Sequence, residues 1–220
     1  MDFYVIIPGH NEEKSIGQVV EKAKKFAAAS KIVVVDDGSR DGTAAEAGRR
    51  GVTVLRHLIN LGKGAALRTG GQYSSRRGAE ALVFMDSDGQ HDPEDLPRLL
   101  AALKDNDIVF TFRDRKSTDM PFIKKFGNTF IDAAMQLLFH INVKDTQCGY
   151  KAMTRAAYEK MQLMSNDYSI ESEIAAKAGK YKLKFTQLPI KTVYADRYKG
   201  TTVFDGVKIV LKMLWWKAAR

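Results

Sequence analysis

The first half of the chain alternates short, almost continuously apolar runs with longer stretches in which apolar residues recur every three or four positions. The runs fall at residues 3–7, 31–35, 52–55, 81–85 and 107–112, and the helical spacing at 16–28, 43–50, 65–73 and 96–103. A run such as Ile32-Val33-Val34-Val35 has no polar face. A strand built from it needs cover on both sides, which helices supply in a doubly wound sheet. The pattern therefore predicts an α/β fold with a mostly parallel, mixed sheet and helices on both faces. After Arg113 the alternation weakens: helices are predicted at 122–139, 155–163 and 170–178, and apolar–polar alternation at 181–185 and 188–194 predicts a final strand pair. No Pro/Gly/Ser-rich linker or internal repeat interrupts the chain. One domain over 1–220 is expected, with halves 1–112 and 113–202 and a terminal helix at 203–220.

The segments 8–13, 36–42 and 86–92 each follow a predicted strand directly. In an open α/β sheet the ligand crevice lies at the carboxyl ends of the strands, so these segments are expected to converge there. Asp86 and Asp88 are two residues apart and project to one side of an extended backbone. With Gln90 they offer oxygen ligands of the kind hard ions such as Mg2+ and Mn2+ prefer, leaving positions for water and a substrate phosphate. Taken alone, the same run reads more readily as a capping turn, with Asp92-Pro93-Glu94 as N-cap and first helical turn, and its place at a strand end in an α/β chain is what favours the metal.

Asp36 and Asp37 follow the most apolar strand, where a carboxylate can accept from a nucleoside base or ribose, and Asn11 reads as a helix cap. In Asn60-Leu61-Gly62-Lys63-Gly64 two glycines would let backbone N–H groups approach a phosphate with an ammonium nearby. P-loop spacing is absent, as is Gly-x-Gly-x-x-Gly after the first strand, so ATPase and dinucleotide-dehydrogenase readings lose support. Arg113, Arg115, Lys116, Lys124 and Lys125 form either a solvated face or a seat for an anionic acceptor. His57, His91 and His140 show no metal spacing, and His140 and Cys148 are taken as structural.

The formal net charge of +9 directs attention to polyanionic partners. A nucleic-acid-binding module is the competing class. The acidic strand-end segments weigh against it, because they repel phosphate unless a metal intervenes. A single cysteine excludes an intrachain disulfide or a cysteine zinc site and fits a reducing, cytoplasmic setting. With neither a signal-peptide pattern nor an apolar run of spanning length, the expectation is a chain that does not cross a membrane and at most lies on its cytoplasmic face. The stretch 203–220 places Val207, Val210, Leu211, Leu214 and Trp215 near helical spacing with Lys208, Lys212, Lys217 and Arg220 between them. Such a helix packs on its own core or lies on a lipid surface.

Taken in order, Val5-Ile6-Ile7-Pro8-Gly9-His10-Asn11-Glu12, Val33-Val34-Val35-Asp36-Asp37-Gly38-Ser39-Arg40-Asp41-Gly42-Thr43, Asn60-Leu61-Gly62-Lys63-Gly64 and Met85-Asp86-Ser87-Asp88-Gly89-Gln90-His91 resemble the inverting family-2 glycosyltransferases. Within them the chain looks most like the polyprenyl (dolichyl) phosphate mannose or glucose synthases, from the N-terminus to about residue 151. The resemblance implies a GT-A fold and inverting transfer of a hexose from GDP-mannose or UDP-glucose to a polyprenyl or dolichyl phosphate, a saccharide acceptor being the alternative. It implies a nucleoside pocket lined by Pro8, Glu12 and Asp37, which with Asp36, Lys63, Gly64 and Ser87 make up the expected donor site, and Mg2+ or Mn2+ at Asp86, Asp88 and Gln90. It further implies catalytic roles for Asp88, Arg113 and Asp145, with Asp145 the candidate base for a hydroxyl acceptor, and acceptor-phosphate contacts from Lys124, Lys125 and Arg197. Glu171 sits where family members often carry an acid. In the late segment Arg197 and Gly200 fit the family's Arg-x-x-Gly-x-Ser-Lys, whereas Val203 replaces the lysine, and the transmembrane helices some relatives append are missing. The partners implied are a nucleotide-sugar, a lipid phosphate and a membrane surface, with no nucleic acid.

Overall fold

The apolar runs become strands of a single sheet. In the computed structural model, which describes residues 1–113, 122–191 and 203–218 without the side chains of 122–128, 203–205 and 207, β1 (Phe3–Gly9), β2 (Ile32–Asp36), β3 (Thr53–Arg56) and β4 (Ala81–Phe84) pair in parallel. β5 (Ile108–Arg113), β6 (Lys151–Thr154) and β7 (Phe185–Ile190) complete a seven-stranded sheet in the order β3-β2-β1-β4-β6-β5-β7. β6 runs antiparallel to both of its neighbours, and β7 is parallel to β5. The sheet is thus mostly parallel and mixed.

Strand periodicity divides the core into two layers. Val5, Ile7, Ile32, Val34 and Val83 bury one face against α1 (Glu13–Ala23), α2 (Thr43–Arg49) and α4 (Leu96–Leu103). Tyr4, Ile6, Val33, Val35, Leu82 and Phe84 bury the other against α3 (Lys63–Arg76), α5 (Phe122–Phe139), α6 (Arg155–Met161), α7 (Ile170–Lys180) and α8 (Val203–Ala218). Each fully buried aliphatic contributes roughly 1.5–3 kcal/mol relative to exposure. Runs with no polar position are therefore what a sheet covered on both sides selects.

Several elements differ from expectation. β6 was not anticipated, because its first residue, Lys151, interrupts the apolar pattern yet is only 1% exposed. The final strand pair is one strand: residues 181–183 instead close α7, where Leu183 N–H donates to the Ala178 carbonyl and Lys182 takes a φ of 51°. Residues 192–194 lie outside those described. Asn11 does not cap α1; the cap position is Glu12, and the Asn11 side chain accepts from Arg40 N–H at 2.9 Å. In α8 the core-facing residues are Ile209 and Met213, with Val210 and Trp216 partly buried, while Leu211, Leu214 and Trp215 face outward. Among the described residues no helix is long and apolar enough to cross a membrane.

Candidate active site

The loops leaving β1, β2 and β4 meet at the carboxyl edge of the sheet. Gly9 pairs with Asp36 in register, and its carbonyl accepts from Asp37 N–H at 2.8 Å. Beyond that, Asn11 N–H donates to Ser39 Oγ at 2.9 Å and Glu12 N–H to Thr43 Oγ1 at 2.8 Å, so the first two loops behave as one unit. Pro8, the last-but-one residue of β1, is buried beneath them.

Both acids expected at the nucleoside already have protein partners. Asp36 is fully buried, accepting from Ser39 N–H at 3.0 Å and lying 3.0 Å from the Arg56 guanidinium. Asp37 accepts from Leu61 N–H at 2.9 Å and Gly62 N–H at 2.7 Å, with His57 Nδ1 at 2.7 Å. Its carboxylate therefore anchors the loop that leads into α3. In that loop Gly62 holds a φ of 98°, and a methyl on Gly62 or Gly64 would overlap the backbone carbonyl of Asn166 or Ser165. These glycines admit another chain segment where sequence reasoning placed a phosphate.

Lys63 opens α3 and points into the centre of the site. Its Nζ lies 2.6 Å from Asp86 Oδ1 and 2.9 Å from Glu171 Oε1, and the other Glu171 oxygen pairs with Lys151. Asp86, Lys63, Glu171 and Lys151 form a continuous ionic chain from β4 to β6. Sequence reasoning missed Lys151 altogether and reached Glu171 only through resemblance; the available signal was a lysine set between Tyr150 and Ala152-Met153.

The two carboxylates of the Asp-x-Asp run sit in opposed environments. Burial works against the charge of Asp86, but the surrounding groups together, Lys63 first and Lys151 among them, hold that carboxyl down to about 2. Burial first, and the negative charge of Asp86 next, push Asp88 up to about 6. Asp88 Oδ1 accepts from Gln90 N–H at 3.0 Å, and Ser87 and Gln90 are buried. The capping function belongs to Asp92, which accepts from Glu94 N–H at 3.0 Å, so Asp86 and Asp88 are not spent on it. Excess negative charge in a half-buried oxygen-rich site suits a hard divalent ion. Among the described residues no group of three or more His, Cys, Asp and Glu closes a metal site. An ion held by Asp86, Asp88 and Gln90 would thus take its remaining ligands from water and a donor phosphate.

His91 backs this loop. Its Nδ1 accepts from Asp86 N–H at 3.3 Å, its ring stacks on Tyr150 at 5.3 Å, and burial pushes its pKa down to about 4, leaving it neutral. Across the cleft, Arg113 at the end of β5 grips Asp145 with two bonds, Nε to Oδ2 at 2.7 Å and Nη2 to Oδ1 at 3.0 Å. The following segment is tied down through Thr146 N–H to Asp132 and Gln147 to Ser172. It brings Gly149 against the Asp86 carboxylate, where a methyl group would overlap both oxygens. Gly149→Ala is accordingly expected to lower activity by about 10- to 100-fold through displacement of Asp86, with a melting temperature close to that of the parent; steady-state rates and thermal unfolding check it. The side chains of Lys124 and Lys125, and Arg115, Lys116 and Arg197 entirely, lie outside the described residues.

The family model described as "Glycosyl transferase family 2" matches residues 4–162. The UDP-N-acetylglucosamine–dolichyl-phosphate N-acetylglucosaminyltransferase of Methanococcus voltae is 31% identical over 99% of this chain and 96% of its own. The polyprenol monophosphomannose synthase of Mycolicibacterium smegmatis is 30% identical over 93% of this chain and 82% of its own. Among solved structures, glucosyl-3-phosphoglycerate synthase from Mycobacterium tuberculosis, in complex with Mg2+ and UDP, superposes with a TM-score of 0.77 at 19% identity, covering 99% of this chain and 79% of that one. That likeness shows the GT-A fold. With the family model spanning most of the sheet and relatives aligned along nearly the whole chain, this protein belongs to glycosyl transferase family 2 and is a glycosyltransferase.

Proposed function

We propose that this glycosyltransferase moves a hexose, with inversion, from a nucleoside diphosphate sugar to a polyprenyl or dolichyl phosphate, using Mg2+ or Mn2+ at Asp86, Asp88 and Gln90. The observation that carries the acceptor is the Arg113–Asp145 pair. Asp145 is the acid best placed in the sequence to act as a base, yet it is 1% exposed and both of its oxygens are held by a guanidinium. A sugar hydroxyl needs a base, whereas a phosphate monoester, with a second pKa of about 6, arrives already charged. The names of the aligned relatives, both lipid-phosphate glycosyltransferases, favour the same acceptor.

In this reading the knitted loops at Pro8, Glu12 and Asp36–Asp37 form the floor for the nucleoside, and Lys63 meets the diphosphate. Asp86 and Asp88 hold the ion, which supplies Lewis-acid stabilisation of the departing nucleotide when bound. The acceptor oxygen attacks the anomeric carbon opposite the diphosphate, and one displacement inverts it. Leu211, Leu214 and Trp215 on α8 are 61%, 50% and 63% exposed, and with the lysines on that helix they suit contact with an anionic membrane face, placing the enzyme peripherally on the cytoplasmic side. The two chain halves then act as one domain, the first for donor and the second for acceptor.

The test is a screen of GDP-mannose, UDP-glucose and UDP-N-acetylglucosamine against short polyprenyl phosphates, with and without Mn2+. Metal-dependent formation of lipid-linked sugar is expected. Transfer to an oligosaccharide but not to polyprenyl phosphate would overturn the acceptor.

A further inference from the structure

We infer that Lys63 is a resident counter-cation on Asp86 which a divalent ion has to displace, so that the ion enters together with the donor's diphosphate and not ahead of it. The inference rests on the metal reading above and extends it to the order of binding.

Its basis is the ionic chain. Lys63 Nζ bridges Asp86 Oδ1 at 2.6 Å and Glu171 Oε1 at 2.9 Å, so the same ammonium has two anchors. Glu171 does not depend on it, because the ammonium of Lys151, only 1% exposed, pairs with its other oxygen. Lys151 is locked in β6 beneath the site, whereas the Lys63 side chain is 15% exposed and begins a helix at the rim. On leaving Asp86, Lys63 keeps Glu171 as a partner and stays beside whatever fills the cleft. The movable half of the chain is therefore Lys63, and the bond it gives up is the one to a metal ligand.

Competition for Asp86 sets the order. A bare divalent ion has to take this carboxylate from an ammonium 2.6 Å away and leaves that ammonium with only Glu171, which Lys151 already pairs. A diphosphate ester gives the displaced ammonium an anionic partner and brings the ion further oxygen ligands. Among the described residues no third acid joins Asp86 and Asp88 in a group that could hold a metal, and two carboxylates make a weak site for the bare ion. Coupling of this kind is reciprocal, so the ion strengthens diphosphate binding by the same factor.

Mn2+ binding to the full chain, followed by electron paramagnetic resonance or calorimetry, tests this without turnover. Wild type is expected to bind Mn2+ weakly alone and much more tightly with UDP or GDP. Lys63→Met is expected to bind Mn2+ alone at least about tenfold more tightly than wild type, with the enhancement by diphosphate reduced by a similar factor. Lys63→Arg, which keeps the charge, is expected to behave as wild type. Unchanged or weaker Mn2+ affinity in Lys63→Met overturns the inference, as does Lys63→Arg matching Lys63→Met. Wild type carries its own test should Lys63→Met not fold: Mn2+ binding as tight without diphosphate as with it also overturns the inference. Absence of Mn2+ binding even with diphosphate sinks the proposed metal site along with it, whereas synergy that survives in Lys63→Met sinks the inference alone.

Discussion

Asp88→Asn is expected to lower sugar transfer by about three orders of magnitude, roughly 4 kcal/mol of transition-state stabilisation, while making the metal-free protein more stable. Both effects come from one environment. Asp88 is pushed up to about 6 by burial and by the charge of Asp86, so at neutral pH its ionised form opposes folding in the absence of an ion. The folded protein holds the proton up to about pH 6, the unfolded chain only to about its ordinary 3.8. Wild-type stability therefore falls as pH rises between these values and does not recover above them. Asparagine cannot ionise, so in EDTA the urea midpoint of Asp88→Asn is expected to exceed that of wild type at pH 7.5 and to converge with it towards pH 4. A transfer rate within tenfold of wild type at saturating Mn2+ would remove Asp88 from the ligand set. A midpoint difference independent of pH would remove the charge explanation.

The same residue shows what the sequence makes legible. The alternation of β1, β2, β4 and the flanking helices is visible because hydrophobic burial acts on every residue of a doubly covered strand, and the strand-end position of Asp86 and Asp88 follows from it. β6 was hidden because its opening lysine is neutralised by Glu171, a partner 20 residues away that periodicity does not register. The 181–185 stretch looked like a strand because Tyr181 and Leu183 alternate with lysines, although backbone hydrogen bonds use those residues to end α7. In sequence, Gly62 and Gly64 suggest room for a phosphate. Room for a ligand and room for the Ser165–Asn166 backbone select the same residue, so only the fold distinguishes them. Likewise the strand-end acid Asp37 also accepts from the N–H groups of Leu61 and Gly62, a loop-anchoring role that local pattern does not announce. Local pattern thus brings the candidate loops to one edge of the sheet, while long-range pairing decides which of their polar groups the protein itself already holds.

That division is sharpest at Asp145. Replacing it with alanine is expected to destabilise the protein by about 3–5 kcal/mol, because the Arg113 guanidinium, 9% exposed, stays behind without this carboxylate. For a chain of this size the melting temperature should fall by on the order of 10 °C. Arg113→Met should lose a comparable amount by taking the guanidinium off both Asp145 oxygens, and the double variant Arg113→Met/Asp145→Leu should recover part of it, since apolar replacement of a buried pair removes both desolvation penalties. Activity separates positioning from proton transfer. At a temperature where Asp145→Ala remains folded, transfer to polyprenyl phosphate is expected to fall by less than about 100-fold, because a charged acceptor does not wait on a base. General-base catalysis contributes about 10^2- to 10^4-fold. A loss beyond about 1000-fold in the folded variant, together with disappearance of the acidic limb of the pH–rate profile, would return Asp145 to the chemistry and a hydroxyl to the acceptor. The pair's geometry argues the other way: a carboxylate with both oxygens on a guanidinium has to break that contact before it can take a proton, and breaking it carries the same penalty that makes the variant unstable.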